Sequence, residues 1–526
     1  MGIDEKRLSE IGRIAAQKND WSTVYRCAHD LIRRNQLNPE GLFLLGLAEK
    51  AARQTMKSID AFEKCLALDV SRFDAGIELA GLYHLLLRND EAIGLLEKYT
   101  GLLADNPWYL DMSGTLYTNM GKPLQAVPLF EMAVKSQPDA AYFLTHLAAA
   151  YVFVGEISKA KAIYRNLLLK SPNHQRNHFY LARLETATNS SHVDQMKAIL
   201  KQENKPEPAN VFLNYALGKE CEDLENWDEA FNFYRKAGNG VKAVLDYRVE
   251  QDEALIEQII LSCDEQWYQK KTGSTLKRPN DKKPIFLVGL PRSGTTLAEK
   301  IISGHSKIES VGETRYFELV LRLNSGVNSP GKILPGMISS SINFDFNELG
   351  RQYLEKVKYL WGDKEYFIDK LPHNYLHLGF FAAAFPDSPI IWIKRNPMDA
   401  CLAMFKQLFM GVYEFTYDFD DLARYYVIYD RLYRHWKSIL GHRIIEIEYE
   451  NLVANIAGET EVALGKMNLD YEVNCINFNE NITPSSTASS VQVREKAHSR
   501  SVMKWKHFAE HLEPLRLKLE TAGIPL

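Results

Sequence analysis

Cysteine is scarce, with six residues in a chain of 526. Cys27, Cys65, Cys221, Cys263, Cys401 and Cys475 lie far apart, and no C-x-x-C pair or zinc-type spacing joins them. A disulfide-stapled secreted module and a zinc-ribbon are therefore excluded, and the thiols are expected to be reduced and mostly in cores. Long apolar runs are missing as well. No window reaches the roughly 18 uninterrupted apolar residues of a membrane span, and the segment 380–393 is broken by Pro386, Asp387 and Pro389. The N-terminus carries charges where a signal peptide needs an apolar stretch, and Lys6 stands where a myristoylation signal needs Ser or Thr. A surplus of one charge sign is also absent. The 63 Lys and Arg against 67 Asp and Glu give a formal net charge of −4, which gives no reason to expect a general binder of nucleic acid or membrane surface and requires any basic site to be local. With 46% apolar and 25% charged residues, the chain is neither a disordered tail nor collagen-like. These absences predict a soluble, cytoplasmic protein of two or three domains, with no membrane span and no nucleic-acid partner.

What is present is a period. Small residues recur every 34 positions at Gly12, Gly46, Ala80, Gly114, Ala148, Ala182 and Ala216. A second small position follows at Ala92, Ala126 and Ala160, and a large ring stands four residues further on at Phe130 and Tyr164, with Phe62 in register one unit earlier. Pro138, Pro172 and Pro206 close units, and Gly121 and Gly155 mark turns. Two antiparallel helices joined by a short turn cannot bury their apolar faces alone, so such a unit stacks on its neighbours. Small residues then sit where helices cross closely, and proline ends the second helix. The pattern resembles the tetratricopeptide repeat and makes residues 1–245 an all-α solenoid, strongest in its middle units. It leaves open whether the array is a spacer, a surface for a homodimer, or a groove for a protein or peptide partner. Residues 246–283 read as a helical connector ending in a basic, Gly- and Pro-containing linker.

Ile285–Val288 reads as a buried strand of parallel type. It leads into Gly289-Leu-Pro-Arg-Ser-Gly-Thr-Thr296 and then a helix. Strand, glycine-bounded loop and helix N-terminus make an anion nest. Gly289 and Gly294 have the spacing of a Walker A loop, but Thr295 occupies the lysine position. A γ-phosphoryl mechanism is poorly equipped without that lysine, whereas the cradle still suits a 5′-phosphate.

Together with Gly312-Glu-Thr-Arg315 about twenty residues on, the loop resembles that of sulfotransferases dependent on 3′-phosphoadenosine 5′-phosphosulfate (PAPS), the closest likeness being to protein-tyrosine sulfotransferases and to bacterial proteins that fuse tetratricopeptide repeats to such a domain. The likeness runs in ordered blocks through residues 284–526 and implies an α/β P-loop-like domain with a mostly parallel central sheet. By that resemblance Pro291, Arg292, Ser293, Gly294, Thr295 and Thr296 bind the 5′-phosphosulfate, and Arg395, in Ile390-Ile-Trp-Ile-Lys-Arg-Asn-Pro-Met-Asp399, grips the 3′-phosphate. The family expects a serine eight residues after this arginine, and this chain has Ala403. Lys370, in Asp369-Lys-Leu-Pro-His-Asn374, is implied to reach the transferring group. The resemblance also implies that Tyr449 contacts the nucleotide, that Ser489 assists the sulfonate, and that Gln492 with Arg500 or Lys504 closes over the cofactor, in a segment whose basic residues near Trp505 suit a lid. Glu313 matches the base, with Arg315 beside it and His305 as the competing base.

The resemblance implies PAPS as sulfuryl donor, PAP as product and no metal. The implied acceptor is a hydroxyl, with a peptide tyrosine favoured and glycans, lipids and small metabolites open, and the array is expected to recruit the acceptor or a partner. A P-loop kinase and a catalytically weak scaffold, the latter supported by Ala403, are the alternatives.

Overall fold

In the computed structural model, which describes residues 3–103, 106–272, 282–327, 333–478 and 499–526, the 34-residue period becomes a series of tetratricopeptide-like helical hairpins. Ile3–Gln17 pairs with Trp21–Arg34, Pro39–Ala51 with Thr55–Leu68, Phe73–Leu85 with Asn89–Tyr99, and Pro107–Asn119 with Pro123–Ser136. Asn38 and Asn106 cap helices that open on Pro39 and Pro107, so a side-chain oxygen takes one orphan N–H and proline wastes none. The chain divides into two compact units, Met1–Tyr151 and Val152–Leu526, with the division inside the helix Ala141–Val154. The second unit contains further hairpin helices, among them Gln175–Leu184, Val211–Asp223 and Trp227–Lys242.

The small positions are small for a steric reason. A Cβ on Gly46 would lie 2.5 Å from the Phe62 ring, and one on Gly114 would lie 2.8 Å from Phe130. In the last hairpin the equivalent contact is made by Gly218, whose Cβ would meet Tyr234 at 2.7 Å. The repeat has thus slipped two residues past Ala216, after the inserted turn Glu207–Asn210. The turn between paired helices uses a left-handed residue at the same period: Asn19, Arg53, Leu87, Gly121 and Gly155, with Glu225 after the slip. Only two of these are glycine, so the others adopt a conformation that costs an L-residue about 1–2 kcal/mol.

Connector helices Val249–Ser262 and Glu265–Thr272 dock on the rest of the second unit. Ile256 and Ile259 are buried, Arg424 pairs with Glu250 and Glu253, and the Trp267 indole donates to the Ile342 carbonyl at 3.0 Å.

The sheet comprises β1 (Lys283–Gly289), β2 (Ile308–Gly312), β3 (Tyr366–Lys370), β4 (Ile390–Lys394) and β5 (Ile444–Glu448). Its order is β2-β3-β1-β4-β5, with every pairing parallel. Helices cover both faces, which is why β1 is a continuous apolar run rather than an alternating one. On one face Ile285, Leu287, Ile391 and Ile393 share a core with Ile301 and Ile302. On the other, Phe286 stacks on Phe381 with centroids 3.5 Å apart. The chain leaves β1 toward β2 on one side and leaves β4 toward β5 on the other. The carboxyl ends of β1 and β4 therefore frame a topological switch point, where open α/β sheets bind ligands.

All six cysteines are buried, and no helix among the described residues is long and apolar enough to cross a membrane.

Relieving the left-handed strain at exposed Arg53 with Arg53→Gly is expected to stabilise its hairpin by about 1 kcal/mol. Amide exchange across residues 39–68, read by mass spectrometry, is then expected to slow about fivefold. Gly46→Ala, which drives a methyl into Phe62, is expected to speed it.

Candidate active site

The loop after β1 is shaped by backbone that few residues tolerate. Gly289 and Gly294 have φ of +154° and +104°, and Arg292 between them is left-handed at +65°. Ser293 N–H closes the turn on the Leu290 carbonyl at 3.2 Å. Gly294 caps the helix Thr295–Ile302, whose first-turn amides lack intrahelical acceptors and present partial positive charge. A Cβ on Gly294 would lie 2.4 Å from the Tyr449 ring, so the helix that follows β5 presses directly on the loop.

Arg395 emerges from the end of β4. It donates to the Arg292 carbonyl at 2.8 Å and the Ser501 carbonyl at 2.7 Å, and its guanidinium lies 4.8 Å from the Tyr449 ring centroid. Burial, and then the positive charges of Arg183 and Arg395, push the Arg292 guanidinium down to about 10. Ser293 Oγ and Arg395 Nε are buried without a hydrogen-bond partner among the described residues; Arg395 lines the large cavity, whereas Ser293 lines a separate small one beside Trp392 and Tyr429.

The helix Pro397–Phe405 and its cap turn Asp399, Leu402, Ala403 and Lys406 onto one face, at i, i+3, i+4 and i+7. Asp399 accepts from the backbone N–H of Met503 (2.6 Å) and Trp505 (2.9 Å), and Tyr449 hydroxyl pairs with Ser501 Oγ at 2.7 Å. These bonds tether the C-terminal segment that carries Arg500 and Lys504.

At the end of β3, Asp369 and Lys370 point to different partners. Asp369 accepts from Thr314 Oγ1 (2.6 Å), Tyr353 hydroxyl (2.8 Å) and Asn374 Nδ2 (3.3 Å), and burial raises its carboxyl to about 7. Gly312, left-handed at +77°, turns the chain out of β2 so that Thr314 reaches Asp369 and Glu313 reaches Lys370. The Lys370 ammonium is fully buried; it donates to Glu313 Oε1, lies 3.4 Å from Thr296 Oγ1 and 3.5 Å from Glu299. Burial pulls it down, but Glu299 and Glu313 outweigh that and hold it above its ordinary range, so the lysine is charged.

A cavity of about 1150 Å³ opens on these groups, larger than the roughly 300–1,000 Å³ of typical small-molecule pockets. Pro291, Arg292, Gly294, Thr295 and Thr296 form one wall. Glu313, Arg395, Tyr449, Arg500 and Lys504 converge on it from other segments. Ser293 and Lys370 are buried and do not line the cavity. Arg315 lies outside it, 56% exposed and paired with Glu318 at 2.8 Å. His305 is buried, with Nε2 3.1 Å from the Asp470 carbonyl and Nδ1 accepting from Lys307 N–H, a structural arrangement. Ser489 and Gln492 fall outside the described residues.

Sequence reasoning did not anticipate that repeat helices complete this cavity. Arg183, Lys219, Glu222 and Tyr234 belong to its wall, as does Lys406. Glu222 Oε1 accepts from Lys406 Nζ (2.7 Å) and Lys504 Nζ (2.5 Å), and Oε2 accepts from the Tyr234 hydroxyl (2.9 Å). Burial opposes ionisation, yet the two lysines outweigh it and hold the Glu222 carboxyl at about 2. Lys406 is signalled by the period of the Asp399-to-Lys406 face. Glu222 has no local signal, because Lys406 is 184 residues away.

Residues 284–472 match the model of the Sulfotransferase family, which supports sulfuryl transfer as the chemistry of the C-terminal domain. The chain is 24% identical over 418 residues to an uncharacterized protein of Aquifex aeolicus (strain VF5), an alignment covering 78% of this chain and 54% of that protein. It thus spans about half the length of the curated relative it matches. Similar solved structures include MamA from Desulfovibrio magneticus RS-1, at 17% identity over 33% of this chain and 98% of the other, with a TM-score of 0.28. A thermophilic TPR protein of Thermus thermophilus is similar at 16% identity over 34% of this chain and 98% of its own, with a TM-score of 0.29.

Glu222→Gln leaves two ammonium groups without their buried counter-charge and is expected to cost about 3–5 kcal/mol at neutral pH. Because the folded-state carboxyl lies below its ordinary 4.5, its stabilisation is complete above that pH and is lost as pH falls toward 2. Thermal melts should therefore decline more steeply for the native protein than for the variant across that window.

Proposed function

We propose that the cavity is a PAPS-dependent sulfotransferase site in which Glu313 is the base. The observation that carries this reading is the Glu313–Lys370 pair, held at the edge of a glycine-bounded anion loop within the segment that matches the Sulfotransferase family. The pocket suits an anionic donor because Arg395, on its wall, keeps its buried Nε without a partner among the described residues, and because Arg292, Arg395, Arg500 and Lys504 line it together.

The donor supplies an activated sulfuryl group on a phosphate leaving group. In this reading the loop amides of Pro291–Thr296 and the Arg292 guanidinium hold the 5′ side, while Arg395 holds the 3′-phosphate through charge-assisted bonds. Tyr449 packs against the nucleotide, and Arg500 and Lys504, on the tethered C-terminal segment, close over it. Ser489 and Gln492 are assigned to the same pocket by resemblance. Lys370 engages one oxygen of Glu313, and the other takes the proton of the acceptor hydroxyl as attack proceeds. The Lys370 charge, together with Arg292, offsets the negative charge that accumulates during transfer. Arg315 braces the Glu313 turn through Glu318 rather than touching substrate.

Thr295 in place of the loop lysine argues against nucleoside-triphosphate chemistry. The acceptor is a hydroxyl on a peptide or glycan, and the hairpins of Met1–Tyr151 recruit it or a protein partner.

Glu313→Ala should reduce the yield of sulfated product by about 10²-fold or more, with PAP affinity nearly unchanged. The readout is mass spectrometry of host extract supplied with labelled PAPS; near-normal yield would assign the base elsewhere. PAP should raise the melting temperature of the native chain more than AMP does. Equal shifts would refute the donor assignment.

A further inference from the structure

We propose that Trp227, which opens the repeat helix Trp227–Lys242, is a positioning residue for the C-terminal segment that covers the nucleotide, so that a repeat hairpin sets how fast the spent donor leaves. The inference rests on the PAPS reading above and adds a regulating element to that site.

The segment from Ser501 to His511 is held at both ends. Its first residues are bound to the α/β side through Arg395, Tyr449 and Asp399. Its later residues lie against the repeat helix. The His507 ring stacks on Trp227 with centroids 4.3 Å apart and planes at 19°, and His511 stacks on Phe231 at 4.4 Å and 6°. Trp227 and Phe231 are separated by about one helical turn, as are His507 and His511, so the two stacks stand in register. Phe508 adds its edge to Trp227 at 5.4 Å, and His511 Nε2 lies 2.8 Å from Asp228.

The ring partners of Trp227 share the turn Lys504–Phe508 with a cavity residue. Lys504 Nζ lies 5.9 Å from the Trp227 ring centroid and pairs with Glu222 at 2.5 Å. Lys504, Arg500 and Ser501 line the cavity, and Trp227 does not, so any effect of the indole on a ligand passes through that turn. Ring stacks fix orientation as well as distance, which leaves the turn few alternative positions. Lys504 and His507 belong to the same short helical turn. Lifting it off the nucleotide therefore takes His507 off Trp227, and the stack opposes release.

The test is the dissociation of radiolabelled PAP from the full chain, chased with unlabelled PAP. Trp227→Ala is expected to speed dissociation roughly tenfold and to change association less than about threefold, the range of one or two ring stacks. Trp227→Phe keeps a ring over His507 and is expected to stay within about threefold of the native rate. A lower melting temperature with an unchanged dissociation rate would make Trp227 structural only and overturn the proposal, and so would a phenylalanine variant as fast as the alanine one. If the native chain binds no PAP, the PAPS reading fails, and the anchor is judged without nucleotide. Trp227→Ala is then expected to speed amide exchange across residues 501–511 about tenfold; unchanged exchange there would overturn the anchor itself. If the alanine variant does not fold, His507→Ala removes the same stack from its exposed partner. It should speed PAP dissociation roughly three- to tenfold, and a native rate would refute the assignment.

Discussion

A carboxylate removed from water must be paid for by counter-charge, and Glu222 has two. Lys406 and Lys504 share one of its oxygens while Tyr234 donates to the other. The carboxylate belongs to a repeat helix, one lysine follows the helix after β4, and the other sits on the C-terminal segment. A buried ion group of this kind is a weak source of net stability but a strong selector of one arrangement, since losing any member leaves an uncompensated charge. It makes the last hairpins and the α/β domain a single unit and sets the wall of the cavity.

The same logic of forced proximity governs the loop. β1 and β4 are neighbours, so Arg395 can reach the Arg292 carbonyl, and Gly294 is compressed by Tyr449 from beyond β5. Three strands thus contribute to one anion cradle. On its far side β3 contributes two adjacent residues that face apart. Asp369 holds Thr314, and Lys370 holds Glu313. Glu313, the proposed base, is positioned through the hydroxyl of its neighbour Thr314 as much as through its own ion pair.

Much of this was legible in the order of residues, for local reasons. The 34-residue period, the strand at Ile285–Val288, the glycine-bounded loop and the strand leading to Arg395 are written in backbone preference and side-chain periodicity. The segment matching the Sulfotransferase family begins where that strand begins. The slip from Ala216 to Gly218 was not legible, because a small residue stands at both positions and only packing against Tyr234 distinguishes them. The exposure of Arg315 was likewise hidden, since a motif places it beside Glu313 without saying which side chain turns inward.

The sequence by itself determined the two kinds of architecture and the candidate chemistry: hairpins by a repeated small-residue spacing, an anion loop by two glycines, and a base and a lysine by ordered blocks. Tertiary structure alone decided that Arg183 and Glu222, lying in a repeat pattern whose residues read as scaffold, line the same cavity as the loop. The physical reason is range. Helix, turn and strand are set by interactions within a few residues, which leave a pattern in the chain. An ion pair between residues 184 positions apart is set by packing and leaves none.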